Sequence, residues 1–147
     1  MKILIDADGC PVTEITCKEA KKYNLQCIII CDTSHFFNYP GVETITVSKG
    51  ADSVDFFLVN KIDKGDIVVT QDYGLAAMCL AKNAFVINQN GIIYDDENIL
   101  SLLNSRHTSK KLRMSGVRLK GPSKRDKIND TYFIEKLKFL IEKNLQI

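Results

Sequence analysis

Five short apolar runs recur along this chain, at residues 2–6, 26–31, 43–47, 66–70 and 84–87, and helical spacing fills much of what lies between them. Four of these runs are almost continuously apolar (Ile3-Leu4-Ile5, Cys27-Ile28-Ile29-Ile30-Cys31, Ile67-Val68-Val69, Phe85-Val86-Ile87) rather than alternating with polar residues. Continuous runs of this length are what a parallel strand needs when helices cover both faces of its sheet. Helices are predicted over 11–23, 51–61 and 73–82, with Pro11 accepted in a first turn. Val12, Ile15, Ala20 and Tyr23 face inward in the first, and Val54, Phe57, Leu58 and Ile62 recur at near-helical spacing through the second. Residues 88–91 read as a turn, 92–94 as a brief extended stretch and 97–103 as a further helix start. The expected fold is α/β, a three-layer α/β/α sandwich with a mainly parallel sheet of about five strands and right-handed crossovers. At 147 residues the chain suits a single domain, 1–147, able to bury a core without staples.

Asp6 and Asp8 stop the first run in Asp6-Ala7-Asp8-Gly9, and Asp72 follows the fourth. The carboxyl ends of parallel strands are where open α/β sheets bind ligands. Carboxylates gathered there are costly, since two unit charges ~4 Å apart repel by about 4 kcal/mol at an effective dielectric of 20. A divalent cation, a shared proton or a phosphoryl substrate would offset that cost. Asp52 and Asp55 open the second helix at i, i+3 and share one of its faces. Together with Asp6, Asp8 and Asp72 they form the candidate metal set, with Asp6, Asp8 and Asp72 as candidate catalytic residues. Oxygen donors without histidine suit Mg²⁺ or Mn²⁺ rather than zinc. Structural roles compete: Asp72 is well placed to cap a helix, Asp52 gains from a helix N-terminus in any case, and Asp95-Asp96-Glu97 reads as a solvated helix start.

The net charge of +2 conceals a division. Residues 106–127 carry nine cationic side chains against Asp126 alone, a net +8, which leaves −6 on the rest. With Gly116, Gly121 and Pro122 and no sustained apolar period, this segment reads as a long basic loop, tethered by an amphipathic helix over 129–145 whose stripe is Phe133, Leu137, Leu140 and Ile141. A basic segment on an acidic body calls for an anionic partner, and nucleic acid is the first candidate. Lys110, Lys111, Arg113, Arg118, Lys120, Lys124 and Arg125 are the predicted contacts. No aromatic residue lies between 106 and 127, so contact with the phosphate backbone fits better than base stacking.

Other classes are poorly supported. No apolar stretch approaches the ~20 residues of a bilayer span, and residues 1–5 are too short for a signal peptide, so no membrane partner and a cytoplasmic location are expected. Five cysteines without a CxxC pair read as reduced thiols, with Cys27, Cys31 and Cys79 packed as small hydrophobes. His35 and His107 belong to no Ser/His/Asp pattern, and neither a Walker loop nor GxGxxG is present.

The segments Ile5-Asp6-Ala7-Asp8-Gly9-Cys10-Pro11-Val12, Gly50-Ala51-Asp52-Ser53-Val54-Asp55, Val69-Thr70-Gln71-Asp72-Tyr73-Gly74-Leu75-Ala76 and Asn88-Gln89-Asn90-Gly91, closed by Arg113…Gly116-Val117-Arg118-Leu119-Lys120-Gly121-Pro122, resemble the signature of the YaiI/YqxD family of uncharacterised bacterial proteins. The resemblance covers nearly the whole chain. It implies a PIN-like fold, in which acidic residues hold Mg²⁺ or Mn²⁺ for RNA cleavage. Carried over by position, those residues are Asp6, Asp8, Asp52 or Asp55, and Asp72. The leading expectation is therefore a metal-dependent phosphodiesterase acting on RNA more readily than DNA. Asp6-Ala7-Asp8-Gly9 also resembles the Asp-x-Asp-Gly motif of haloacid-dehalogenase phosphatases, with Asp6 as nucleophile, although a helix opening at Pro11 leaves no room for their flap. A non-catalytic nucleic-acid-binding module is the third reading.

Overall fold

The computed structural model describes residues 1–33, 37–50, 53–116 and 124–146. Six strands, β1 (Lys2–Asp6), β2 (Gln26–Asp32), β3 (Glu43–Val47), β4 (Ile67–Val69), β5 (Phe85–Ile87) and β6 (Ile93–Tyr94), form one sheet in the order β3-β2-β1-β4-β5-β6. The first five are parallel, and β6 runs antiparallel to β5 as a short edge. Five helices are seen among the described residues: α1 (Thr13–Lys22), α2 (Ser53–Lys61), α3 (Tyr73–Ala81), α4 (Asp96–Met114) and α5 (Lys127–Leu145).

Period-two alternation sorts the strand side chains into two cores. Ile3, Ile5, Cys27, Ile29, Ile67, Val69 and Ile87 pack with α1 and α5 through Ala20, Phe133, Leu137 and Ile141. Leu4, Ile28, Ile30, Val68 and Val86 pack with α2, α3 and α4 through Leu58, Leu75, Cys79 and Ile99. The result is the expected three-layer sandwich, with both faces of the sheet dry. All five cysteines are free thiols, and Cys27, Cys31 and Cys79 are buried, as their apolar surroundings predict.

Local chemistry sets the element ends. Asn24 (φ 56°) and Asn83 (φ 63°) take the left-handed conformation just after α1 and α3. Leu25 N–H then bonds to Ala20 O and Ala84 N–H to Cys79 O, which closes each helix and turns the chain into the next strand. Asp95 and Asp126 cap α4 and α5 in reciprocal capping boxes with Asn98 and Asn129. Asp95 thus has the helix-start role expected for its segment. Helix α1 begins at Thr13, so Pro11 precedes the helix instead of lying in its first turn.

The main correction concerns the basic segment. Residues 106–114 are not loop, because α4 continues without a break to Met114. A capped first half packed through Ile99, Leu102 and Leu103 nucleates the helix, and Arg, Lys, Leu and Met propagate it without core contact. Helix α5 starts at Lys127 and buries all four stripe residues expected of it. Its docking is close: a Cβ added at Gly91 (φ +85°) would lie 2.8 Å from Tyr132 Cδ1 and 3.0 Å from Tyr132 O. Among the described residues, no helix is long and apolar enough to cross a membrane.

Candidate active site

Strand order reverses about β1, since the chain moves from β1 outward to β2 and β3 and then returns to place β4 on the other side. The carboxyl ends of β1 and β4 therefore flank a topological switch point, where such sheets leave a crevice. Asp6 ends β1 with the same parity as Leu4, and Thr70 follows β4 with the parity of Val68. Both side chains consequently face the α2–α3 layer. Asp55 lies in the first turn of α2, and Asp72 caps α3. These elements enclose a cavity of about 390 Å³ lined by Asp6, Asp8, Val54, Asp55, Gln71 and Asp72. Four of the five aspartates proposed from the sequence thus share one pocket; Asp52 lies outside the described residues.

Hydrogen bonds hold this rim. Thr70 Oγ1 donates to Asp6 Oδ2 at 2.7 Å and accepts from Asp72 N–H at 3.1 Å. Asp72 Oδ1 accepts from Leu75 N–H at 3.1 Å, so its capping role is real and coexists with its place in the pocket. Both Asp8 oxygens accept from Asp32 N–H, at 3.3 and 3.1 Å, which ties the turn after β1 to the end of β2. Gln71 Nε2 donates to Gly9 O at 2.6 Å across the mouth. Arg106 Nη1 lies 3.8 Å from Asp72 Oδ1, an exposed ion pair joining α4 to the acidic rim.

The electrostatics reflect this crowding. Burial pushes the Asp6 carboxyl up to about 6, the Thr70 hydroxyl opposes it, and Asp55, Asp8 and Asp72 push in the same direction as burial. Among the described residues, no group of three or more His, Cys, Asp or Glu is gathered closely enough to hold an ion. The carboxylates ring the cavity without closing on one point. Residues 7–12 pass directly from β1 into the approach to α1, with no hairpin inserted between them.

The predicted nucleic-acid residues divide into three groups. Lys110, Lys111 and Arg113 lie on the exposed second half of α4, and Lys124 is exposed ahead of α5. Arg118 and Lys120 lie outside the described residues, as does His35; His107 is exposed on α4. Arg125 is committed within the fold: Nη1 donates to Gln89 O at 2.8 Å and to Asn90 Oδ1 at 2.7 Å, and Nη2 pairs with Asp130. It fastens the β5–β6 turn to the start of α5. The sequence reading missed Thr70 and Gln71 as site residues. Thr70 was legible in principle, because strand parity places it on the same face as Asp6.

The model of the family described as uncharacterized, YaiI/YqxD, matches residues 4–143. The chain belongs to the YaiI/YqxD family. It is 50% identical over 133 residues to a UPF0178 protein of Exiguobacterium sibiricum, covering 90% of this chain and 91% of that one. A UPF0178 protein of Ruminiclostridium cellulolyticum is 52% identical over 142 residues, with 97% and 93% covered. One of Alkaliphilus oremlandii is 46% identical over 145 residues, with 99% and 94% covered. No solved structure matches the chain. These three relatives are thus similar to it over 90–99% of its length.

Proposed function

We propose that this YaiI/YqxD protein is a divalent-metal-dependent phosphodiesterase of PIN-like type that cleaves RNA in preference to DNA. The observation that carries the reading is the shared pocket, in which Asp6, Asp8, Asp55 and Asp72 from three separate parts of the chain line one cavity at the switch point. Its donors are carboxylate oxygens, the chemistry that Mg²⁺ and Mn²⁺ select. Mg²⁺ keeps several of its waters, so it needs only one or two carboxylates at a time and suits a ring of aspartates that do not meet at a point. One or two of Asp6, Asp8, Asp55 and Asp72 would hold the ion directly and the others through its waters, with Asp52 in the same candidate set. When bound, such an ion neutralises phosphate charge and lowers the pKa of a coordinated water.

The protein's own groups supply orientation. Thr70 fixes one Asp6 oxygen, which leaves the other for the cavity. The cap to Leu75 N–H fixes Asp72 in the same way. Arg106 stands at the pocket and begins a cationic helix surface with Lys110, Lys111 and Arg113, suited to a phosphate backbone leading away from the reacting bond.

The test is cleavage of a labelled single-stranded RNA in Mn²⁺ by wild type, Asp6→Asn and Asp72→Asn. Both variants are expected to lose about a hundredfold or more in rate while remaining folded. Undiminished cleavage in both would remove these aspartates from the reaction.

A further inference from the structure

A second cavity, of about 570 Å³, lies on the opposite face of the sheet and toward the other end of its strands, between α1, the start of β2 and residues 39–42. Glu14, Lys18, Lys21 and Tyr39 line it, and so do Cys17 and Cys27, whose sulfurs are 3.9 Å apart. These thiols differ from the other buried ones. Cys31 and Cys79 are fully buried in packed core, whereas Cys17 and Cys27 keep 7% and 5% of their surface and border open volume. We propose that Cys17 and Cys27 form a reversible oxidation site, converted by small peroxides that enter this cavity into a disulfide linking α1 to β2.

The two sulfurs lie within hydrogen-bond reach of one another. Either thiol can donate to the other, and in the arrangement where Cys27 donates, the Cys17 thiol is drawn below its ordinary value against burial and the charge of Glu14. Cys17 is the more exposed of the two, 7% against 5%, and stands on the helix that brings Lys18 and Lys21 to the cavity, which makes it the attacking group. Its thiolate sulfur bonds to one peroxide oxygen, the O–O bond breaks, and the hydroxide released takes up the thiol's proton as water, leaving a sulfenic acid. Cys27 sulfur then attacks Cys17 sulfur. The S–S bond forms, the S–O bond breaks, and the hydroxyl departs with the Cys27 proton as a second water. One peroxide is reduced by two electrons and two thiols are oxidised. The sulfurs must approach from 3.9 Å to about 2.05 Å, a change that side-chain rotation beside open volume can supply.

The test is thiol counting on the intact native protein with and without a modest excess of hydrogen peroxide, followed by peptide mapping. Two of the five thiols are expected to disappear, with a single Cys17–Cys27 crosslinked peptide, and dithiothreitol should restore all five. Five surviving thiols, oxidation confined to Cys10, or irreversible sulfinic acid at Cys17 would each overturn the proposal. In Cys27→Ser, the sulfenic acid should persist and be trapped by dimedone at Cys17; trapping at another cysteine instead would also overturn it. Wild-type mapping decides the matter without the variant.

Discussion

Strands β1 and β4 are bounded at both ends by charged or polar groups, and the two ends treat a carboxylate in opposite ways. At the amino end, Asp66 is almost fully buried and meets the Lys2 ammonium at 2.6 Å, together with the backbone N–H groups of Lys2 and Asp63. Asp63 adds a second carboxylate to Lys2 at 2.7 Å. At the carboxyl end, Asp6 is offered only a hydroxyl by Thr70, with three further aspartates around the same cavity. The first arrangement satisfies its charge internally and serves structure. The second gathers four carboxylates around open volume, and no ammonium among the described residues meets Asp6. An acid's type and burial are thus poor guides to its role; the partner supplied by the next strand decides it.

The largest effect should come from breaking the satisfied end. Lys2→Met leaves Asp66 buried without its counter-ion, and unfolding in urea should show a loss of about 3 kcal/mol. Burial works against the Lys2 charge, but its hydrogen bonds to Asp63 and Asp66 and the attraction of both carboxylates together outweigh it, so Lys2 titrates above its ordinary 10.5. Its contribution is therefore complete below that value and is lost as pH rises past it. A variant as stable as wild type would show that the two ends do not differ in kind.

The carboxyl end should respond with the opposite sign. Asp6 titrates near 6 in the folded chain against 3.8 for an ordinary aspartate, so between those values the folded state holds the extra proton. Metal-free wild type should lose stability as pH rises from about 4 to 6 and change little from this group above that. Asp6→Asn keeps an acceptor for Thr70 without the charge. It should gain at most about 3 kcal/mol at pH 7 and flatten that part of the pH profile. Destabilisation by Asp6→Asn at neutral pH would refute the electrostatic account of the pocket.

Asp72 separates the two roles in one residue. Asp72→Ala removes the cap of α3 and should cost about 1 kcal/mol, whereas Asp72→Asn preserves it and should be nearly silent in thermal unfolding. Equal losses would mean that charge rather than capping holds the helix start. The smallest effect belongs to Arg106→Ala. Its pair with Asp72 is exposed, so stability should move by less than about 0.5 kcal/mol. In RNA binding, the same change should reduce the salt slope by roughly one unit if Arg106 neutralises one phosphate.

The sheet and its site were largely readable from residues because parallel strands advertise themselves. Ile3–Ile5 and Ile67–Val69 are too apolar to stand anywhere but between helices, and their carboxyl ends fix where Asp6 and Asp72 must lie. The stripe Phe133, Leu137, Leu140 and Ile141 was equally plain, since a buried face imposes its period. Residues 106–114 read as loop for the complementary reason: a helix half that touches no core leaves no hydrophobic period. The bonds of Arg125 leave no local trace, since nothing near it in the sequence shows that Asn90 and Asp130 meet around it. Thr70 carries no signature of its own; only strand parity, with β4 beside β1, sets its hydroxyl on the face of Asp6.

The position of α5 in the chain bears on how the molecule comes into being. Every strand it covers is translated before it, so Ile5, Ile29, Val69 and Ile87 leave the ribosome with much of their covering layer still unmade. At roughly ten residues per second, that greasy surface stays bare for several seconds. A nascent chain in that interval is a natural client for chaperones, and a truncation that spared every pocket aspartate but removed α5 would be expected to accumulate as aggregate.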